Sequence, residues 1–200
     1  PLAPATPVPA DDPAAALEAI GVSPPYVLFV GTVEPRKNVV GLIRAFRKIA
    51  AEVPHTLVIA GPAGWGTSLG RELADPPGRI EPVGAVSPQR LDALYRSADC
   101  LCYPSRYEGF GLPVLEAMLR GVPVVASTTP AVAETAGDAA LLVDPTDEGA
   151  IADAVERVLT DRVLADDLRA KGRERTASFS WDRTAAATVE VYRSVAGRAS

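Results

Sequence analysis

The sequence predicts an α/β fold, with helices packed on both faces of a doubly wound parallel sheet of about six strands. Short continuous apolar runs such as Tyr26–Val30 and Thr56–Ala60 end at a glycine, a pattern typical of strands buried on both faces. Segments with apolar residues at helical spacing separate these runs, and this alternation favours a parallel sheet. From Asp147 onward the pattern is helical throughout, which predicts a helical carboxyl-terminal tail.

Each element follows from a local pattern. Pro13 opens a short helix that Gly21 ends, Asn38 is expected to cap the second helix, and Ser87 caps a helix whose first residue is Pro88. The glycine- and proline-rich segment 62–78 holds one or two helical turns. The remaining predicted strands are 80–83, 99–103, 123–126 and 140–143, and the later helices are 113–120, 130–136 and a last one from Trp181 to about Val195.

Composition bounds the function. The chain has 200 residues, 48% of them hydrophobic, enough for one domain that buries roughly 70% of its unfolded surface. Its 20 basic and 25 acidic residues give a net charge of -5, without a basic tract. Nucleic acid and anionic membranes are therefore not expected as general partners. No apolar run approaches the ~18–20 residues of a transmembrane segment.

The two cysteines indicate no redox or metal chemistry. Cys100 and Cys102 alternate with Leu101 in a predicted buried strand, so both point to one face without forming an ordinary disulfide. We expect buried thiols and a cytoplasmic protein. No cluster of Asp, His or Cys has metal-ligand spacing, and the single histidine, His55, is expected to be structural or at the surface.

The amino-terminal stretch predicts a linker. The chain begins at Pro1 without a methionine, and residues 1–9 hold four prolines but no charged segment of the kind that opens a signal peptide. We expect the chain to be part of a longer polypeptide.

The segment Glu108-Gly-Phe-Gly-Leu-Pro-Val-Leu-Glu116 is the strongest functional signal. It follows a predicted strand and opens a helix, so it should lie at the carboxyl end of the sheet, where open α/β sheets bind ligands. Gly109 and Gly111 would let the backbone approach a ligand closely. Glu116 falls among apolar residues, where a carboxylate needs partners; it either complements the helix dipole or binds a polyhydroxyl ligand, which we favour.

This segment resembles the E-x7-E signature of the retaining nucleotide-sugar glycosyltransferases of GT-B type, the glycosyl transferases group 1 family. Four further blocks resemble the family in the same order: residues 31–38, 80–86, 121–127 together with 139–145, and 179–181. The resemblance implies a Rossmann-like domain that is one half of a GT-B fold, the half that binds the nucleotide-sugar donor.

The resemblance also implies the domain organisation. Residues 1–25 would be a linker and short helix from an amino-terminal, acceptor-binding domain, 26–178 the donor-binding domain, and 179–200 a helix that crosses back onto the absent domain. The expected partners are a nucleotide sugar and that domain, with no metal or other cofactor. Contact with the inner membrane face through the absent domain stays open.

The same resemblance implies that the two glutamates bind different parts of the donor. Glu116 would accept hydrogen bonds from the ribose hydroxyls, and Glu108 would contact hydroxyls of the transferred sugar as the catalytic residue of this chain. The N–H groups of Phe110, Gly111 and Leu112 would lie nearby. A pair of acid/base carboxylates, as in hydrolases, is the other interpretation, but a helix of apolar residues places Glu116 badly for that chemistry.

The block at 31–38 resembles the family's phosphate-binding loop. Lys37 is the expected phosphate ligand. Many relatives carry arginine directly after the strand's glycine, where this chain has Thr32, which can donate one hydrogen bond but brings no charge. Arg36 either supplies the second cation, or pairs with Glu34, or holds the loop.

The block at 80–86 resembles the base-binding turn, with Gly84 and Val86 beside the base; the alternative is a plain strand-to-helix turn. The phosphate loop resembles those of mannosyl- and rhamnosyltransferase-like members, which favours GDP-mannose as donor. Two other functions stay open: a nucleotide-sugar 2-epimerase of GT-B architecture and a non-catalytic nucleotide-binding module.

Overall fold

The computed structural model describes residues 12–66, 69–74 and 79–196. Within them, six strands form one parallel sheet in the order β3-β2-β1-β4-β5-β6. The strands are β1 Tyr26–Val30, β2 Thr56–Ala60, β3 Ile80–Gly84, β4 Cys100–Tyr103, β5 Val124–Ser127 and β6 Leu141–Val143. The predicted Rossmann-like, doubly wound sheet of six strands is confirmed.

Nine helices occur in the described part of the chain. Right-handed crossovers from this strand order place the helices on both faces of the sheet. They are α1 Pro13–Glu18, α2 Val39–Ile49, α3 Gly70–Ala74, α4 Pro88–Ser97, α5 Leu112–Leu119, α6 Pro130–Ala136, α7 Glu148–Thr160, α8 Arg162–Thr176 and α9 Trp181–Ala196.

The core lies between the sheet and its helices. Strands β1, β4 and β5 are buried along almost their whole length, as continuous apolar runs predict. On the outside of the sheet α2 packs against α7, whereas α5 contacts α4, α6 and α8. Helix α9 buries none of its residues and leaves Trp181 and Tyr192 exposed.

Most predicted boundaries agree within a few residues, and the N-cap of Ser87 is confirmed by its hydrogen bond from the Arg90 amide. Asn38 occupies the N-cap position of α2, as predicted, but the expected side-chain cap is missing. Asn38 adopts a left-handed conformation (φ 57°) and its side chain makes no cap hydrogen bond. Its side-chain amide instead donates to the carbonyl of Pro145. Asparagine is one of the residues that tolerate a positive φ.

The predicted linker lies, up to residue 11, outside the described residues. Cys100 and Cys102 are free and buried in β4, as expected, and burial raises the pKa of Cys100 to about 12. In the part of the chain that the structure describes, no helix is long and apolar enough to cross a membrane.

Candidate functional site

The strand order reverses direction between β1 and β4, which lie side by side although β2 and β3 separate them in sequence. In doubly wound sheets, the loops that leave the carboxyl ends of two such strands diverge to opposite faces and open a ligand-binding crevice. The loop after β1 carries Arg36 and Lys37, and the loop after β4 carries Glu108. Two of the sequence blocks singled out above therefore meet at this point.

The two loops are tied together by their backbones and by Asn38. Residues Pro35–Lys37 form a single 3-10 turn that Asn38 closes. The Arg106 amide donates to the Arg36 carbonyl over 2.7 Å, and the Arg106 guanidinium donates to Asn38 Oδ1 over 3.2 Å. The turn that presents Arg36 and Lys37 is therefore fixed against the loop that presents Glu108.

Lys37, Tyr103 and Glu108 form a closed triangle of hydrogen bonds. Lys37 Nζ donates to Glu108 Oε1 over 2.6 Å and to the Tyr103 hydroxyl over 2.7 Å. The Tyr103 hydroxyl in turn donates to Glu108 Oε1 over 2.8 Å. The side chains of Lys37 and Glu108 are only 9% and 7% exposed, so this ion pair is shielded from water. A shielded pair of this kind persists because each charge is matched and hydrogen-bonded.

Arg36 reaches the same carboxylate from the solvent side. Its NH1 group donates to Glu108 Oε2 over 3.1 Å, and its NH2 group pairs with Glu34 at 2.5 Å. The guanidinium side chain stays 42% exposed. Pairing with Glu34, one of the alternatives for Arg36, therefore occurs, and it occurs together with a contact to Glu108.

Glu108 is held ionised. Burial by itself would raise its pKa, but the hydrogen bonds from Lys37 and Tyr103 and the charge of Lys37 outweigh burial and lower the pKa below its ordinary value. Burial, followed by the neighbouring Glu108 charge, raises the pKa of Tyr103 well above its usual range. Tyr103 therefore keeps its proton and acts as a donor to Glu108.

Glu116, the second glutamate, projects from α5 and is partly exposed. Its Oε2 accepts a hydrogen bond of 2.9 Å from the hydroxyl of Tyr95, a fully buried residue of α4. Burial and then the charge of Glu116 raise the pKa of Tyr95 well above its ordinary value, so this hydroxyl also remains a donor. Glu116 thus has the partner that its position in an apolar helix requires.

Arg120 ties α5 to α4 beneath Glu116. Its NH1 group donates to the Glu116 carbonyl over 2.9 Å, and its Nε donates to Asp92 Oδ1 over 2.7 Å. Its guanidinium carbon also lies 5.0 Å from the centre of the Tyr95 ring, a cation–π contact. Burial opposes ionisation of Asp92, but hydrogen bonds from Arg96 and Arg120 lower its pKa.

The turn between the glutamates uses its glycines in two ways. Gly111 has φ +93° directly before α5, a conformation that side chains with a Cβ rarely adopt. A Cβ at Gly109 would meet no atom of the described residues within 4 Å, so the protein's own packing leaves that space open. The amides of Phe110, Gly111 and Leu112 lie at the amino-terminal end of α5, as the sequence predicted.

Thr32 and Val86 share a cleft of about 270 Å³ at the carboxyl ends of β1, β2 and β3. The cleft is mostly apolar, being lined by Val30, Gly31, Thr32, Ala60, Gly61, Pro62, Ala85, Val86 and Leu91. The backbones approach closely here, since a Cβ on Gly61 would lie 2.0 Å from the Gly31 carbonyl oxygen. Gly84, with φ +66°, ends β3 at its rim. The predicted base-binding turn and phosphate loop are therefore neighbours.

A second cleft, of about 390 Å³, lies on the other side of Gly109 and Phe110, against α6 and the end of α8. Phe110 meets Phe179 edge to face there, and Glu134 is among the lining residues. Glu134 offers its backbone carbonyl to Arg175, so α8 is fixed against α6.

His55 lies away from the two loops of the site, whereas Ser105 and Tyr107 lie on the loop that carries Glu108. His55 is buried at the amino-terminal edge of the sheet, 3.5 Å from Asp99, as expected of a structural histidine. Ser105 is fully buried and Tyr107 is exposed. Within residues 12–66, 69–74 and 79–196, no three His, Cys, Asp or Glu side chains lie together as a metal site requires.

Sequence reasoning missed Tyr95, Tyr103 and the Asp92–Arg120 pair. Tyr95 falls in the predicted helix that begins after Ser87 and Tyr103 in the predicted strand 99–103, and neither was singled out. The available signal was that a buried tyrosine hydroxyl usually finds a hydrogen-bond partner, but only Tyr103, five residues before Glu108, lies close in sequence to its carboxylate.

Comparison with known proteins identifies the family. The sequence model of the family described as glycosyl transferases group 1 matches residues 16–175. The chain belongs to this family. The matched range contains both glutamates, both cations of the first loop and the turn after β3. The resemblance seen in the sequence is thereby confirmed.

Two members of the glycosyl transferases group 1 family illustrate the relation. The chain is 38% identical over 173 residues to the O-antigen chain mannosyltransferase B of Escherichia coli, covering 84% of this chain and 45% of that protein. It is 37% identical over 180 residues to a D-inositol 3-phosphate glycosyltransferase of Salinispora arenicola, covering 83% of this chain and 40% of that protein. The chain thus spans less than half the length of these curated relatives.

Solved structures agree with the fold. A sucrose-phosphate synthase from Thermosynechococcus elongatus superimposes with a TM-score of 0.75 at 28% sequence identity, covering 98% of this chain and 50% of that one. This member of the glycosyl transferases group 1 family therefore corresponds to about half of the sucrose-phosphate synthase chain.

Proposed function

We propose that this chain is the donor-binding half of a retaining glycosyltransferase that transfers a sugar from a nucleoside-diphosphate sugar. The observation that carries the proposal is the meeting of Lys37 and Glu108 at the point where the strand order reverses, with the donor blocks of the family arranged around it. Ligands of doubly wound sheets bind at this point.

The diphosphate would lie beside Lys37 and Arg36. A lysine ammonium has three N–H donors, and the described residues use two of them, in the bonds to Glu108 and Tyr103. The third is left for a phosphate oxygen, and the partly exposed guanidinium of Arg36 offers further donors. Because sugar transfer builds negative charge on the leaving diphosphate, fixed cations stabilise the transition state more than the ground state. We infer that they do so without a metal ion.

Glu116 would bind the ribose. Among the hydrogen bonds of the described residues, the Glu116 carboxylate is engaged only through Oε2, so Oε1 keeps its capacity to accept from a ribose hydroxyl. Glu108 would contact hydroxyls of the transferred sugar, with Gly109 leaving space and the amides of Phe110, Gly111 and Leu112 adding N–H dipoles.

The base would enter the apolar cleft between Thr32, Gly84 and Val86. We favour GDP-mannose as the donor, which the similarity to the E. coli mannosyltransferase supports. The acceptor would be bound by an amino-terminal domain of the same polypeptide, onto which α9 would cross. We infer a cytoplasmic location, with any contact to the inner membrane face made through that domain.

Two measurements test the proposal. A thermal-shift screen of this chain against UDP-, GDP- and dTDP-sugars should show the largest stabilisation with GDP-mannose, because ligands stabilise the folded state in proportion to their affinity. The full-length polypeptide should transfer mannose, whereas this chain alone should transfer almost none. No stabilisation by any nucleotide sugar, or turnover by this chain close to that of the full-length polypeptide, contradicts the proposal.

A further inference from the structure

Each glutamate of the E-x7-E segment is held by the hydroxyl of a fully buried tyrosine. Tyr103, at the end of β4, donates to Glu108, and Tyr95, in α4, donates to Glu116. Tyr95 lies 21 residues before Glu116, on a different helix. Tyr103 lies five residues before Glu108, which belongs to the loop after β4.

Tyr103 cannot move independently of the sheet. Its ring stacks on Phe29 of the neighbouring strand β1, with ring centres 6.2 Å apart. Its hydroxyl both accepts from Lys37 and donates to Glu108 Oε1, so one rigid group sets the distance between a cation and a carboxylate on two different loops.

Tyr95 is fixed in a similar way. The guanidinium of Arg120 lies over its ring, and Arg120 is itself clamped by Asp92 on one side and the Glu116 carbonyl on the other. Both Arg120 and Asp92 are buried, with side chains 6% and 0% exposed. The orientation of Glu116 is therefore determined by α4 as well as by α5.

We propose that Tyr103 and Tyr95 are positioning residues that fix the Glu108 and Glu116 carboxylates in the orientations needed to bind the sugar and the ribose of the donor. This inference rests on the proposed function. A glutamate side chain has three rotatable bonds, and ordering it costs free energy when a ligand binds. A carboxylate that a buried hydroxyl already holds through one oxygen has less conformational freedom to lose on binding, and it presents its remaining acceptor sites in a constant direction.

Tyrosine-to-phenylalanine variants test this with little change in packing. Tyr26→Phe is the matched control, because Tyr26 is also fully buried and its hydroxyl donates over 2.7 Å to a backbone carbonyl, that of Leu94. Calorimetric titrations would use guanosine, GDP and GDP-mannose. Tyr95→Phe should lower the affinity for all three ligands about 5- to 20-fold. Tyr103→Phe should lower the affinity for GDP-mannose by a similar factor and the affinity for guanosine very little. Tyr26→Phe should bind all three like the wild type.

A double-mutant cycle separates positioning from general loosening of the fold. If Tyr103 acts through Glu108, Tyr103→Phe should not weaken GDP-mannose further in a Glu108→Ala background, and Tyr95→Phe should not weaken guanosine further in a Glu116→Ala background. Additive losses in either cycle, or tyrosine variants that bind like Tyr26→Phe, overturn the inference. Wild-type chain that binds none of the three ligands refutes the proposed function instead.

A ligand-free readout covers the case in which binding is too weak to measure. Carboxyl titration by NMR should show the Glu108 pKa rising toward its ordinary value of 4.5 in Tyr103→Phe, because a donor to the ionised form is lost. Tyr26→Phe and Tyr95→Phe should leave that pKa unchanged. An unchanged pKa in Tyr103→Phe would mean that the hydroxyl does not hold the carboxylate in solution.

Discussion

Lys37 Nζ donates to Glu108 Oε1 over 2.6 Å, although 71 residues separate the two in sequence. The contact exists because β1 and β4 are neighbours in the sheet, so the loops that follow them emerge side by side. A basic residue from one family block and a carboxylate from another thereby form a single buried group.

The position of Lys37 predicts how its loss changes binding. Lys37→Ala should lower the affinity for GDP about 10- to 100-fold and the affinity for guanosine very little, because the lysine charge would interact with the phosphates. Lys48→Ala is the matched control: Lys48 lies on α2, half exposed, and pairs only loosely with Glu148 at 3.8 Å. Titration calorimetry measures both. Equal losses of guanosine and GDP in Lys37→Ala would count against the phosphate assignment.

The two glutamates should separate by ligand. Glu116→Ala should lower the affinity for both GDP and GDP-mannose, because the ribose is common to them. Glu108→Ala should lower the affinity for GDP-mannose only. Each loss should be about 10- to 100-fold, the value of a hydrogen bond to a charged group. Circular dichroism first establishes that both variants fold. If Glu108→Ala lowers GDP affinity as much as Glu116→Ala does, the division between ribose and sugar is wrong.

The lowered pKa of Glu108 predicts how the free energy of unfolding depends on pH. Its pKa in the folded protein lies below the ordinary value of 4.5, so its ionised form adds stability that is fully present above that value and is lost as the pH falls through the lower, folded-state pKa. Urea unfolding from about pH 6 to pH 3 should show a decline in the free energy of unfolding that Glu108→Gln makes shallower. The exposed Glu190, which pairs with Arg193 on α9, supplies the control Glu190→Gln, which should leave the decline as in the wild type. Equal slopes for Glu108→Gln and wild type would show that the buried pair contributes nothing.

The glycines of the E-x7-E turn should differ in what they tolerate. Gly109→Ala should fold with nearly wild-type stability, since its Cβ meets open space, but should bind GDP-mannose more weakly if the donor lies in that space as proposed. Gly111→Ala should lower the free energy of unfolding by about 1 kcal/mol or more, because φ +93° strains any residue with a Cβ. Chemical unfolding and calorimetry distinguish the two effects. Full GDP-mannose affinity in Gly109→Ala would place the sugar elsewhere.

Sequence periodicity predicted the strands well because buried parallel strands are continuous apolar runs that end where the backbone must turn, as Tyr26–Val30 does before Gly31. It could not give the strand order, and so it named Lys37 and Glu108 without showing that they touch. The same limitation hid Tyr95 and Tyr103, whose hydroxyl partners come from other elements. The N-cap position of Asn38 could be predicted, but its left-handed conformation could not, because capping residues and left-handed turn residues have the same sequence preference.

Amide chemical shifts of the isotope-labelled chain, followed during titration with GDP, test the central claim most directly. The shifted amides are expected to lie in residues 31–38, 84–86 and 109–116, the segments around the reversal of strand order. Shifts confined to residues 131–135 and 175–179, which line the cleft beside Phe179, or spectra that GDP leaves unchanged, would contradict that claim.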